Sequence, residues 1–291
     1  MAVQPSQVFS PSNFQELFTL WNRFPDAVLY AGGTEFVRSQ GIRVPILPRV
    51  IISLGRLDDI CRVSRTERYL EIGAMVRLNQ IINMGKIVPE PLTRCLECIG
   101  GPQLRNLATI GGNICNSSLR HDSSAAMIAL DAQYELRSAQ AARWISASRF
   151  TSLRGHLPLK KEELLTRIRV PLEPWTFTKY RRLHSPGNNS SGGGIIFIIK
   201  NQRNILTSIR AAYSGRLALR DRSTETMLEG KRLPLDRRDA AGFAEKWKSY
   251  LAGIAESGEA ELNAKDDILN AEMLITQINN FIETAIYSIS D

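Results

Sequence analysis

Two glycine pairs have the residue types and spacing that could bind an anionic ligand. The first pair lies in Ala31-Gly32-Gly33-Thr34 and the second in Thr109-Ile110-Gly111-Gly112-Asn113, and each follows an apolar stretch. A pyrophosphate group is bound by converging backbone N–H donors. Only residues without a Cβ let the chain come that close and turn with positive φ. The two segments therefore predict two turns that could face one phosphate-containing ligand.

Each glycine segment taken alone is more typical of an ordinary turn, with Thr34 as a simple N-cap residue. The ligand hypothesis instead places Thr34 at the start of a helix, where its hydroxyl group and the free amides of the first turn favour an anion. Other nucleotide motifs are absent from the sequence. No GxGxxG opens a Rossmann unit, and neither Gly85-Lys86 nor Gly230-Lys231 is preceded by the glycine that a P-loop requires.

The first glycine pair is positioned by elements that form a small βαβ module. A capping box at Ser12-Asn13-Phe14-Gln15, followed by apolar residues at helical spacing, predicts an amphipathic helix that opens the fold. A buried strand over 27–30 ends at the glycines. A helix over 34–40 and a strand over 50–52 follow. We expect this first lobe to span residues 1–58.

The second glycine pair lies in a second lobe, expected over residues 59–172, and Pro171 and Pro174 then mark a boundary. A C-terminal α+β domain is expected over residues 173–291. For the second lobe we predict a hairpin at 61–64 and 69–73, helices at 78–83, 92–99 and 123–130, and strands at 133–137, 143–145 and 164–170. For the C-terminal domain we predict strands at 175–183, 194–200 and 205–213 and helices at 240–255 and 271–288.

Composition excludes several classes of protein. The chain has 291 residues, 43% of them hydrophobic and 23% charged, which is ordinary globular usage. The net charge is +8, but the basic residues are scattered along the chain and are not interleaved with aromatic residues. Nucleic acid is therefore not an expected partner. No apolar run is long enough to span a membrane, and residues 1–5 show no secretory signal, which favours a cytoplasmic location.

The cysteines and histidines do not predict a metal site. The four cysteines do not form a disulfide framework, and Cys95 and Cys98 fit one apolar helical face better than a metal or redox pair. The three histidines have neither zinc-ligand nor triad-like spacing. Neither a metal nor a catalytic side chain is predicted.

Taken together, the two glycine segments indicate a function more specifically than either segment does alone. Tyr30-Ala31-Gly32-Gly33-Thr34-Glu35 and Thr109-Ile110-Gly111-Gly112-Asn113-Ile114 resemble the two FAD loops of the molybdenum-hydroxylase flavoprotein family, which includes the medium subunits of xanthine dehydrogenase and carbon monoxide dehydrogenase. The resemblance includes 101–106 and 129–132 and extends weakly over the whole chain. It implies an α+β fold: a two-lobed α/β FAD-binding domain of the PCMH/vanillyl-alcohol-oxidase type plus a C-terminal α+β domain.

The resemblance also implies roles for individual residues. Asp122 matches an aspartate that hydrogen-bonds the sugar-like chain of the flavin, and Lys179 matches a lysine near the isoalloxazine. Asp122 is equally suited to cap the helix at 123–130, and a solvated Lys179 is nearly as compatible with the sequence. The complete set of implied FAD contacts is Tyr30, Ala31, Gly32, Gly33, Thr34, Glu35, Phe36, Val37, Ile99, Thr109, Ile110, Gly111, Gly112, Asn113, Asp122, Leu165 and Lys179.

Two segments depart from the family pattern. The family usually shows Ser-Pro-x-x-Asp before the ribityl contact, whereas this chain has Ser118-Leu119-Arg120-His121-Asp122. Asn188 and Asn189 occupy an elongated loop where the family has a downstream arginine and aspartate. These departures put the local loop geometry in question.

The implied function is electron relay through FAD. We expect the FAD to be bound non-covalently, because no histidine or cysteine lies within either glycine loop. A flavin accepts electrons singly from an iron–sulfur centre and delivers them in pairs to NAD or oxygen. This chain has no ferredoxin cysteine spacing. The resemblance therefore implies a small ferredoxin-like 2Fe–2S subunit and a large molybdopterin subunit as partners. A stand-alone flavin oxidoreductase of the same fold and a scaffold that has lost FAD stay as alternatives.

Overall fold

The structure is a computed structural model that describes residues 5–41, 46–116, 123–150, 158–184, 191–215, 218–256 and 265–289. Its strands form three sheets, of three, five and four strands in chain order. None of the described helices is long and apolar enough to cross a bilayer. The division of the chain at residues 58 and 172 stays a prediction.

The first sheet is parallel and confirms the predicted βαβ module. Its strands take the order β1-β3-β2. Asn13 caps α1, its side chain accepting the Glu16 N–H at 2.9 Å, and the Glu16 carboxylate accepts the Ser12 N–H at 2.8 Å. The capping box therefore ends on Glu16 and not on Gln15. The elements are β1 (Gln7–Phe9), α1 (Phe14–Arg23), β2 (Val28–Tyr30), α2 (Thr34–Gln40) and β3 (Val50–Ser53).

The second sheet is antiparallel, with strand order β4-β5-β8-β6-β7. Helix α7 in this part of the chain is buried throughout, and its N-cap is Ser123 where the sequence predicted Asp122. The elements are β4 (Val63–Arg65), β5 (Tyr69–Gly73), α3 (Leu78–Asn83), α4 (Glu90–Glu97), α5 (Pro102–Arg105), α6 (Ile110–Ile114), α7 (Ser124–Ala129), β6 (Gln133–Arg137), β7 (Ala142–Ser146), α8 (Ala147–Phe150) and β8 (Leu164–Pro171).

The third sheet is antiparallel, with strand order β12-β11-β10-β9, and is covered on both faces. On one face, Phe197 lies in the same core cluster as Phe243 and Trp247, which belong to the C-terminal helical region. Ile196 and Ile198 on the other face belong to the core of the second lobe. The elements are β9 (Phe177–His184), β10 (Ser191–Gln202), β11 (Ile205–Ser214), β12 (Ala218–Leu219), α9 (Arg222–Glu225), α10 (Arg237–Glu256) and α11 (Lys265–Tyr287).

A buried ionic cluster joins the third sheet to α7. Arg220 donates to the carbonyl of Ile128 at 2.7 Å and to the carboxylate of Asp131 at 2.7 Å. The same guanidinium pairs with Glu225 at 2.8 Å, and both side chains are more than 90% buried. Arg210 donates to the carbonyl of Ala129 at 2.8 Å. The C-terminal end of α7 is therefore held by arginines from the third sheet and the segment after it.

Replacing Arg220 by Met should lower the free energy of unfolding by about 3–5 kcal/mol, because Glu225 would stay buried without its counter-charge. Arg222→Met is the matched control. Arg222 donates to the same Asp131 oxygen at 2.9 Å, but its side chain is 72% exposed. Its loss should cost no more than about 1 kcal/mol. Urea unfolding of both variants gives the comparison, and equal losses would contradict a buried clamp.

Candidate functional site

The first glycine segment lies at the carboxyl edge of the parallel sheet, where α/β folds bind ligands. β2 ends at Tyr30, and Gly33 is the N-cap of α2 with φ of +69°. This left-handed backbone is the conformation that the sequence predicted for a phosphate-binding turn, and it favours glycine. Thr34 is the first residue of the helix. The alternative in which Thr34 is the N-cap is therefore wrong.

The second glycine segment is fixed by backbone hydrogen bonds to the stretch after β5. The N–H groups of Ile110 and Gly111 donate to the carbonyl groups of Val76 and Ala74, at 2.9 and 2.8 Å respectively. The Thr109 hydroxyl accepts the N–H of Gly112 at 3.1 Å and caps α6. The segment predicted as a turn thus begins a short helix.

The first glycine segment touches, through its backbone, the two residues that lead into the second. A Cβ on Gly32 would lie 2.1 Å from the carbonyl oxygen of Leu107 and 3.2 Å from the Cα of Ala108. The first of these distances is shorter than any real contact of a Cβ, so only glycine lets the first segment come this close to the second. The structure therefore brings together the two segments that the sequence singled out.

The Tyr30 ring folds over the first turn. A Cβ on Gly33 would lie 2.0 Å from the Tyr30 hydroxyl, and the ring packs edge-on against Phe36 at 6.4 Å. Glu35 forms an ion pair with Arg38 on the next helical turn. The space beside Gly33 on this side is filled by Tyr30, so a ligand would use the backbone N–H groups. Ala31 and Thr34 are half-buried, and Val37 is exposed.

Asn113 connects the second glycine segment to the start of α7. Its side-chain oxygen accepts the hydroxyl and the N–H of Ser123 at 2.5 and 3.3 Å. Asp122, the residue before Ser123, lies outside the described residues, as do positions 118–121 and 188–189 of the two departing segments. Ile99 and Leu165 are both buried in the core of the second lobe.

Lys179 is not brought to the glycine segments. It lies opposite Phe197 in the sheet, on the face that packs against α10 and α11. Its ammonium group donates to the carbonyl of Thr284 at 3.1 Å. Burial lowers the pKa of Lys179, and the neighbouring Arg181 lowers it further.

The sequence analysis missed the residues that support the second segment. The Arg105 guanidinium donates to the carbonyls of Glu97, Ile99 and Gly100 at 2.9, 3.2 and 2.6 Å. It thereby ties the end of α4 to the turn that carries Leu107. An arginine shortly after a predicted helix end could have indicated this contact. Leu107 acts through its carbonyl group, and no residue pattern signals that.

These residues fit the diphosphate of a dinucleotide. The first glycine turn, at the start of α2, meets the residues that lead into the second at a backbone contact that any Cβ would break. A glycine turn at a helix start presents the N–H groups that bind phosphate oxygens. In the second segment, the N–H groups of residues 110–113 are already bonded within the protein. Among the described residues, no three or more His, Cys, Asp and Glu side chains cluster in a way that could hold a metal ion.

Comparison with known proteins agrees with this geometry. Residues 4–173 match the family described as FAD binding domain in molybdopterin dehydrogenase. The nicotinate dehydrogenase FAD-subunit of Eubacterium barkeri is 28% identical over 247 residues, which cover 80% of this chain and 83% of that protein. The nicotine 6-hydroxylase medium subunit of Paenarthrobacter nicotinovorans is 24% identical over 257 residues, which cover 86% and 89%.

The fold is also found in solved structures. A chain of quinoline 2-oxidoreductase from Pseudomonas putida 86 superposes with a TM-score of 0.80 at 19% identity, covering 100% of this chain and 98% of that one. The expected α+β fold class is confirmed.

Gly32→Ala should separate the glycine segments and lower the free energy of unfolding by about 1–3 kcal/mol, because its methyl group would overlap the Leu107 carbonyl. Bound flavin should be lost as well. Gly55→Ala is the control, since the nearest atom to its added Cβ lies at 3.7 Å, and it should change stability by less than about 0.5 kcal/mol. Urea unfolding and the absorbance of bound flavin give both quantities. A Gly32→Ala protein with normal flavin content would contradict the role of this contact.

Proposed function

Because the chain belongs to the family of FAD-binding domains of molybdopterin dehydrogenases, we propose that it is the FAD-carrying electron-transfer subunit of a molybdenum hydroxylase complex of the xanthine dehydrogenase type. FAD is the cofactor of this family, and the chemistry is that of an oxidoreductase. The observation that carries the proposal is the backbone contact of Gly32 with Leu107, which joins the two glycine segments in one place.

The chain would hold FAD by its diphosphate and its sugar-like chain. The first turn, Tyr30 to Val37, would supply backbone N–H groups for the diphosphate. For the second, Thr109 to Asn113, the proposal rests on the resemblance, because the N–H groups of Ile110 to Asn113 are already bonded within the protein. Asp122 would accept hydrogen bonds from ribityl hydroxyl groups. For Ile99, Leu165 and Lys179 the proposal rests on the resemblance. The structure buries the first two side chains and places the third against α11.

FAD, when bound, supplies the chemistry that joins single-electron delivery from an iron–sulfur centre to paired delivery to NAD or oxygen. The protein contributes position and electrostatics. The relatives named above are an FAD-subunit and a medium subunit, and these names describe parts of larger enzymes. The iron–sulfur and molybdopterin centres would therefore be carried by a ferredoxin-like subunit and a large subunit. The net charge of +8 would assist encounter with an acidic partner surface.

The isolated chain should bind one FAD without a covalent bond. After acid precipitation, all flavin should appear in the supernatant, and chromatography should identify it as FAD. Asp122→Asn and Asp122→Ser should both weaken FAD binding, because each removes the carboxylate, and both should leave the free energy of unfolding nearly unchanged, because Ser123 stays as the N-cap of α7. Flavin that stays with the precipitate would contradict non-covalent binding. A purified chain that takes up no FAD would favour the scaffold alternative.

The chain should be recovered in a complex. Co-expression with a ferredoxin-like and a large molybdopterin subunit, followed by purification through a tag on this chain, should give iron, molybdenum and FAD together. The isolated chain should be yellow and unable to hydroxylate heterocycles. Recovery without iron or molybdenum, although the partners are soluble, would favour a stand-alone flavin oxidoreductase.

A further inference from the structure

Arg77 lies directly opposite Thr109 in an isolated antiparallel bridge. The backbone hydrogen bond of Leu78 N–H to the Ala108 carbonyl, at 3.0 Å, fixes this register. Residues that face each other in an antiparallel pair project their side chains from the same side. The Arg77 side chain therefore emerges on the side of the second glycine segment from which Thr109 projects.

The first lobe lies close to this stretch of chain. Met75, two residues before Arg77, packs against the core of the first lobe. The alternate residues Val76 and Leu78 are buried in the core of the second lobe. The backbone beside Arg77 is Ala108, whose Cα lies next to Gly32. Arg77 thus stands beside both glycine segments.

Arg77 differs from the other arginines that flank these segments. Arg38 is paired with Glu35, and the Arg105 guanidinium donates to three carbonyl groups. Arg77 is exposed, and its guanidinium forms no ion pair within the part of the chain that the structure describes. Its backbone N–H donates to the Gln80 side chain at 3.0 Å, which anchors it at the start of α3. A positive charge that has no ion-pair partner among the described residues is therefore available at this place.

We propose that Arg77 binds the diphosphate of FAD and supplies the positive charge that the glycine turns lack. A guanidinium group presents N–H donors in a planar fork that matches two phosphate oxygens. The diphosphate is the anionic part of FAD, and the backbone N–H groups of residues 110–113 are already bonded within the protein, so a charged side chain beside the second turn would supply donors that its backbone does not. This inference rests on the proposed function, and Arg77 is not among the positions that the family resemblance assigned.

The test compares FAD with riboflavin, which has the same ring and sugar-like chain but no phosphate. Arg77→Met should raise the Kd for FAD about tenfold and the Kd for riboflavin less than about twofold. Arg68→Met is the matched control, because Arg68 is an exposed arginine in the turn between β4 and β5 and has the same charge. It should change either Kd by less than about twofold. Flavin fluorescence titration of the full chain measures all values.

The salt dependence of FAD binding is a second measurement, and it can be made even if riboflavin binding is too weak to titrate. The Kd for FAD should rise less steeply with NaCl concentration in Arg77→Met than in the parent or in Arg68→Met, because one charge contact is gone. Equal FAD affinities and salt slopes for the two variants would overturn the proposal. An equal loss of affinity for FAD and for riboflavin in Arg77→Met would also overturn the proposal, since Arg77 would then only shape the loop. A parent chain that binds no FAD would instead refute the proposed function.

Discussion

The site depends on one steric constraint, which is the close approach of Gly32 to the Leu107–Ala108 peptide. Two backbones can meet at this distance only where a Cβ is missing. The contact brings the start of α2 next to the stretch that leads into α6. The proposed cofactor site needs both glycine segments, so it depends on this contact.

The second glycine segment is connected to the C-terminal domain through α7. Asn113 holds the start of this buried helix through Ser123, and Arg210 and Arg220 hold the carbonyl groups at its end. Both ends of α7 are therefore fixed, the start by the second glycine segment and the end by arginines of the third sheet and of the segment after it. The buried pair of Arg220 with Glu225 makes this placement specific, because another placement would leave a buried charge without its partner.

The local elements of the fold were predictable, and the contacts between them were not. The bounds of α2, α3 and β6 follow from apolar periodicity and glycine breaks, and the structure has them as predicted. β1 was missed, because two exposed residues and one half-buried residue carry no periodic signal. α6 was missed because its glycines resemble a turn. The face on which Lys179 lies depends on strand register, and a shift of one residue would reverse it.

The same holds for the candidate site, where the residue types could be predicted from the sequence and the contacts could not. The glycine pairs were visible in the sequence, since residue type alone indicates them, but the capping of α6 by Thr109 was not predicted. Leu107 acts through its backbone, and the position of Arg77 depends on pairing with a residue distant in sequence. No local pattern carries either fact.

The most direct test of one shared site is hydrogen–deuterium exchange of the chain with and without FAD. The account predicts that FAD slows amide exchange in peptides covering 30–37 and in peptides covering 107–113, with no change in α10. Slower exchange in only one of the two segments, or in neither, would contradict a cofactor site at their contact.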